Sequence, residues 1–487
     1  MFDDPQLSAD TIVQDRTAIL FDDFFHPRSV AVVGASSRAS GGGGNTFLQG
    51  LIDHGFPGPI YPVNPRADVI LGRKAYPDLL SVPDPLDYVI SSIPAVGVPE
   101  LLRQAIAKGV RLVHLYTAGF SESGVDERAG LEQEILRLAR AGGVRLVGPN
   151  CMGLYCPSGH ISWRGAFPTE PGPVGVVSQS GANGDATVLG GAQRGLRYSK
   201  VISFGNGLDL NESDLFEFLA NDPDTEIIGC YLEGVKDGRR FRGALERAAS
   251  RKPVVVLKGG RTEAGGRAAA SHTGSLAGSS AMWDALCKQT GAVRVFGMDE
   301  LVDTLTAFRF LPEPPAGPRV AIVGGGGGHS VLAADECAAE GLTVPWFSAS
   351  VQSQLSGFVP LAGTSVRNPL DTSVALESEA NFVRSVEIVS GSGEVDFILA
   401  HLPGSRRDAS ERSLMEAARV VVAGARASRI PVVVVIRGFG AATAEDTQEM
   451  IDYCSAAGLA VFPSVAQAAA AVQKVRTYYT GRSARGR

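Results

Sequence analysis

Several things are scarce in this sequence of 487 residues: 6 Cys, 3 Trp, eight Lys, and no unbroken run of ~18 apolar residues. Without such a run no membrane-spanning helix is expected. The opening, MFDDPQLSADTIVQD, is acidic and broken. It lacks the basic start and apolar stretch of a secretory leader, so a cytoplasmic protein is expected. Cysteines 151, 156, 230, 287, 337 and 454 are scattered, mostly inside apolar segments. Cys151 and Cys156 have neither a second pair nor a nearby His to complete a zinc pattern. They read as reduced thiols, and no metal site is expected. The net charge is −6 and no basic cluster stands out. Nucleic acid as a main ligand is therefore disfavoured, while a local basic rim for a phosphorylated small molecule is not.

What is present is ordinary for a globular chain: 44% hydrophobic and 20% charged residues, with 59 Gly and 28 Pro. The length suggests three domains. From Ser29 onward, short β-branched runs alternate with helical stretches. SVAVVGAS (29–36), GPIYPVNP (58–65), LDYVISSIP (86–94), VRLVHLYTAGF (110–120) and VRLVGPN (144–150) read as strands. VPELLRQAIAKG (98–109) and ERAGLEQEILRLARAGG (127–143) read as helices between the later ones. This alternation predicts parallel sheets covered on both faces. PSGHISWRGAFPTEPGP (157–173) reads as a linker, and LPEPPAGP (311–318) as a Pro-rich hinge. The expected architecture is α/β with three doubly wound domains: a lead-in over 1–23, then 24–156, 157–312 and 317–487. Ligands then sit at the carboxyl ends of the strands, where the glycine turns fall.

In the first domain, SVAVV runs into Gly34-Ala35-Ser36-Ser37 and a tetraglycine at 41–44. A glycine turn feeding a helix start suits a phosphate. The dinucleotide pattern G-x-G-x-x-G is not met, because Ser36 stands at the second glycine. YPVNPRAD offers Asn64 and Arg66 where a ribose-binding acid belongs, which weakens a nicotinamide reading. In the second domain, VGVVSQSGANGD places Ser178-Gln179-Ser180-Gly181 between a strand and a helix, a seat for an anion. It is not a nucleophile elbow, since G-x-S-x-G is absent. A small-residue loop after PVVVLKGG carries His272, followed by Thr273-Gly274-Ser275. That imidazole is either a phosphate carrier or a solvated loop side chain. Glu233 closes the buried strand IIGCYLEG, where a carboxylate can orient one imidazole nitrogen and leave the other nucleophilic, or simply face a helix start. Trp163, Phe167 and Phe204 are candidates for lining an acyl pocket or for ordinary packing.

Taken together, SVAVVGAS, GPIYPVNPRAD, GVRLVHLYTAGFSE, GVRLVGPNCMG, VGVVSQSGANG, VISFGNGLDLNESDLFEFL, YLEGVKDGR, PVVVLKGGRTEAG, SHTGSLAG and NPLD resemble, in order, the NDP-forming acyl-CoA synthetases. These are relatives of succinyl-CoA synthetase, and the resemblance is to the alpha subunit of the ADP-forming acetyl-CoA synthetase type. It implies a Rossmann-like CoA-binding domain followed by two flavodoxin-like ligase domains. It implies that acid, CoA and ATP are converted reversibly to acyl-CoA, ADP and phosphate through an acyl-phosphate and a phosphohistidine. His272 matches the phosphorylated histidine and Glu233 its orienting acid. Ser178, Gln179, Ser180 and Gly181, with Thr273 and Gly274, match the phosphate-holding positions. Gly34, Ala35, Ser36, Ser37, Asn64, Ile93, Pro94, Gly119, Phe120 and Asn150 match the CoA groove. Asn368-Pro369 and Asp371 match a family motif of structural or interface type.

Two turns depart from the family pattern, SRASGGGGN and RVAIVGGGGGHS. No ATP-grasp portion is recognisable in the sequence. The expectation is therefore a hetero-oligomer in which an ATP-grasp beta subunit holds ATP or ADP with Mg. Two other functions compete: a CoA- or acyl-CoA-binding regulatory protein without ligase chemistry, and a nicotinamide-dependent oxidoreductase. The identity of the acid is not legible.

Overall fold

The computed structural model describes residues 23–37, 42–267, 279–359, 364–371, 378–402, 414–436 and 444–484. These pack into two compact units. One holds residues up to Leu189 together with Arg197–Met298; the other holds Gly190–Leu196 and the residues from Asp299 onward.

The first unit contains two doubly wound sheets. In the first, β1 (Val30–Val33), β2 (Ile60–Val63), β5 (Tyr88–Ser91), β6 (Leu112–Leu115) and β7 (Arg145–Val147) lie parallel in the order β2-β1-β5-β6-β7. A small hairpin, β3 (Val69–Ile70) with β4 (Arg73–Lys74), is inserted after β2. Helices α1 (Gly42–Asp53), α2 (Val98–Ala107) and α3 (Asp126–Ala141) connect the strands. β1, β5 and β6 are buried at every position, as their runs of apolar and β-branched residues demand when helices cover both faces.

The second sheet runs β13-β12-β11-β9-β10-β8. Its strands are β8 (Gly153–Tyr155), β9 (Pro171–Ser178), β10 (Tyr198–Ser203), β11 (Ile227–Leu232), β12 (Val254–Lys258) and β13 (Val293–Val295). Helices α4 (Gly181–Ala192), α5 (Glu212–Asn221), α6 (Gly238–Arg251) and α7 (Ser280–Thr290) follow the strands. All pairs are parallel except β8 on β10. Strand β8, which the sequence assigns to the first domain, therefore belongs to the second sheet. Counted along the chain and leaving out the hairpin and β8, both sheets have the order 2-1-3-4-5. Each has a switch point beside its first strand, where a crevice opens at the carboxyl ends.

Segment 157–173 is more than a linker. Trp163 and Phe167 are buried and meet edge-to-face at 5.3 Å, and each also meets Tyr155. Trp163 Nε1 donates to Asp185 at 2.6 Å. Gly50 of α1 lies so close that a Cβ there would stand 2.5 Å from the Ser162 carbonyl oxygen. Phe204 is buried as well. All three aromatic candidates are packing residues.

In the second unit, β14 (Val320–Gly324), β15 (Phe397–Leu402), β16 (Val432–Ile436) and β17 (Ala460–Phe462) form a parallel sheet in chain order. Leu370 bridges Val323 on the outer side of β14. The helices are α8 (Met298–Phe310), α9 (Gly327–Ala339), α10 (Ala349–Ser356), α11 (Glu379–Gly391), α12 (Leu414–Ala427), α13 (Ala444–Ala456) and α14 (Val465–Ala484). Residues 299–310 of α8 pack here, so the division between units falls before the Pro-rich segment at 311–318. The reason is contact with α14: Phe308 meets Tyr478 edge-on at 5.1 Å, Glu300 pairs with Lys474 at 2.8 Å, and Asp303 accepts from Gln467 at 2.8 Å. No helix among the described residues is long and apolar enough to cross a membrane.

Candidate active site

The crevice of the second sheet lies between β9 and β11, whose ends are in register at Ser178 and Tyr231. The Gln179 backbone N–H donates to the Tyr231 carbonyl at 2.9 Å. Its side chain reaches across: Oε1 accepts the N–H groups of Glu233 at 2.7 Å and Gly234 at 3.2 Å. Ser178 is buried, and its hydroxyl donates to the Ser180 carbonyl at 2.6 Å. Ser178 therefore braces the turn, leaving Ser180, Gly181 and the opening of α4 to form the rim. The Ser180 hydroxyl accepts the Asn183 N–H at 3.4 Å. A helix start presents N–H groups and the positive end of the dipole, which favours a phosphate there. A Cβ at Gly181 would lie 2.6 Å from Met152 Cγ, so a side chain there would have to displace the Met152 side chain.

Opposite stands Glu233, which is buried. The Tyr231 hydroxyl donates to its Oε1 at 3.2 Å. Burial, reinforced by the Glu233 charge, pushes the phenol pKa well up, so it stays protonated. Lys258 ends the neighbouring strand β12, bonded to the Gly259 carbonyl and 5.6 Å above the Trp283 ring. Burial pulls its ammonium pKa down, and the Glu233 charge partly restores it. Facing a helix start, this cluster can hold an imidazole in one tautomer and offset phosphate charge. His272, Thr273 and Gly274 lie outside the described residues. The described chain leaves at Arg267 and resumes at Ser279, whose hydroxyl caps α7 by accepting the Met282 N–H at 3.3 Å.

On the first sheet, the candidate CoA residues all fall at the carboxyl ends of β1, β2, β5, β6 and β7. Gly34 has φ +94°, and a Cβ there would stand 2.7 Å from the Ser92 carbonyl oxygen. Asn45 closes the following turn by accepting from Ser36 N at 2.8 Å and donating to Ser36 O at 2.9 Å. Asn64 donates to the Ala35 carbonyl at 2.7 Å and accepts from Arg66 N at 2.9 Å. Its side chain thus holds the turn. The Thr117 hydroxyl donates to the Ile93 carbonyl at 2.8 Å, just before Pro94. Phe120 is fully buried, so its ring belongs to the core. Asn150 has φ +59°, and its N–H donates to the Thr117 carbonyl at 3.0 Å.

Sequence reasoning missed the residues that join the two sheets. Glu122 accepts from Gly119 N at 2.5 Å and from the Asn206 amide at 2.7 Å. Asp209 accepts from Arg145 Nε at 2.7 Å and from Leu146 N at 3.1 Å. Glu122 could have been suspected from its place three residues after a strand-end glycine; its partner Asn206 could not. In the second unit, Asn368 pins β14 by accepting from Ile322 N at 3.0 Å and donating to Val320 O at 2.7 Å, a structural role. The turn after β14 has three successive glycines at positive φ, Gly324, Gly325 and Gly326. No cluster of His, Cys, Asp and Glu among the described residues could hold a metal ion.

Comparison with known proteins gives concordant matches. Residues 28–157 match the CoA binding domain family, and residues 171–308 the succinyl-CoA ligase like flavodoxin domain. The chain is 41% identical over 323 residues to the alpha subunit of an ADP-forming acetate–CoA ligase I of Pyrococcus furiosus, covering 65% of this chain and 69% of that one. It is 39% identical over 381 residues to the ADP-forming acetate–CoA ligase I of Archaeoglobus fulgidus, covering 78% of this chain but 54% of that relative's length. Among solved structures, a dinucleotide forming acetyl-coenzyme A synthetase 1 of Ca. Korarchaeum cryptofilum, in complex with phosphate and ADP, superposes with a TM-score of 0.80 at 31% identity. The superposition covers 95% of this chain and 97% of that one.

Proposed function

The chain belongs to the ADP-forming acyl-CoA synthetases, and from that premise we propose that it performs the acyl and phosphoryl half of the reaction. CoA lies along the rim of the first sheet, from Gly34–Ser37 past Ile93-Pro94 to Gly119 and Asn150. In the direction of acid release, a phosphate oxygen attacks the thioester carbonyl and the CoA thiolate leaves, giving an acyl-phosphate. The neutral His272 imidazole then attacks phosphorus, and the carboxylate leaves as free acid. The phosphoryl group next passes to ADP, held with Mg on an ATP-grasp partner. The hetero-oligomer is supported by the relative that is itself an alpha subunit. A cytoplasmic location fits a user of CoA and ATP.

Little covalent apparatus is needed for these steps; positioning and electrostatics suffice. The Ser180–Gly181 helix start attracts the phosphoryl group. Glu233 fixes the imidazole tautomer and stabilises its cation after transfer, and Lys258 offsets charge. The observation that carries the reading is the Gln179 bridge, which sets Glu233 against the start of α4 across one crevice.

The test is incubation with labelled phosphate and a panel of acyl-CoA thioesters. Acid-labile, alkali-stable label is expected on the wild type and none on His272→Ala. The acyl-CoA that labels fastest identifies the acid. CoA binding by calorimetry with no label from any thioester would overturn the reading in favour of a binding protein.

A further inference from the structure

A glutamate that must fix an imidazole has three side-chain torsions to restrain, and Gln179 restrains only its backbone. We propose that Tyr231 is the positioning residue that fixes the Glu233 carboxylate. The proposal rests on the reading that Glu233 orients the phosphate-carrying imidazole.

Glu233 follows the last residue of β11, two residues after Tyr231, and the two side chains meet there. The phenol donates to Oε1 at 3.2 Å. The phenol thus holds the carboxylate at side-chain level, where Gln179 holds the backbone. Space for the hydroxyl is kept by a glycine: a Cβ at Gly259 would stand 2.6 Å from the phenol oxygen. A phenylalanine would fill the same packing volume, so what tyrosine adds is the hydroxyl. Because the phenol remains protonated, it donates throughout the neutral range, and a donor to one carboxylate oxygen selects the plane in which that carboxylate meets an imidazole.

The test is Tyr231→Phe in the full chain, assayed for label on His272 from phosphate and the preferred acyl-CoA. The expected rate loss is ~10-fold, with KM for acyl-CoA and the thermal midpoint unchanged. In a Glu233→Gln background, Tyr231→Phe is expected to add no loss, because the hydroxyl acts through the carboxylate. Should Glu233→Gln abolish labelling, the fall in kcat at constant KM in the single variant decides. A wild-type rate in Tyr231→Phe overturns the proposal, as does a loss that multiplies fully with that of Glu233→Gln. So does a rise in KM with loss of thermal stability. A wild type that takes no label overturns the functional reading itself, a distinct result.

Discussion

The side chain of Gln179 accepts the backbone N–H of Glu233 at 2.7 Å, joining residues 54 apart in the chain across the crevice of the second sheet. One amide oxygen satisfies two donors, those of Glu233 and Gly234. Replacing it by a side chain of similar volume, Gln179→Met, strands both. The expected cost is ~1–3 kcal/mol by urea unfolding, with a fall in phosphoenzyme formation as Glu233 loses its fixed backbone. Unchanged stability and unchanged labelling would contradict this account.

Gly34 sets the CoA rim. At φ +94°, with a carbonyl oxygen 2.7 Å from any Cβ, Gly34→Ala must shift the turn. A destabilisation of ~1–3 kcal/mol is expected. CoA affinity should weaken at least ~10-fold by titration calorimetry, an energetic equivalent of ~1.4 kcal/mol.

His114 lies fully buried in β6, its Nε2–H donating to the Cys151 carbonyl at 3.1 Å. Nδ1 has no hydrogen-bond partner among the described residues, because Gly153 abuts the ring. Burial pulls its pKa down from 6.5 to about 4. Between those values the unfolded chain binds the proton and the native state does not, so stability rises with pH there. The contribution is complete above pH 6.5 and is lost as pH falls to about 4, at most ~3 kcal/mol. Urea unfolding at pH 7 and pH 4.5 checks this, and His114→Leu should flatten the difference.

Lys200 is fully buried, its ammonium 5.8 and 6.0 Å from the centroids of the stacked Phe25 and Phe218 rings, and donates to Asp222 at 2.8 Å and Asp224 at 2.9 Å. Lys200→Met leaves the buried Asp222 without its cation, although the Thr225 hydroxyl still donates to it at 2.6 Å. A loss of ~3–5 kcal/mol is expected in urea unfolding. Adding Asp222→Leu should recover part of it, since the stranded carboxylate is then gone.

The strands and their turns were legible from residue types. Runs such as VAVV and VVVL are apolar at every position, and only a strand covered on both faces buries them all. Glycine at strand ends marked the rims, because backbone at positive φ excludes a side chain. Glu233 could be named as a strand-end acid and Ser180-Gly181 as a helix start. What the sequence alone determined is thus local: which segments are strands, where they stop and which charged groups stand at the stops. Only the tertiary structure decided that Asn64 holds a turn, that Phe120 points into the core, that β8 crosses to the second sheet and that Gln179 and Tyr231 converge on Glu233. The physical reason is that strand periodicity fixes the face on which a side chain emerges, whereas its partner depends on sheet order and register, which long-range packing selects.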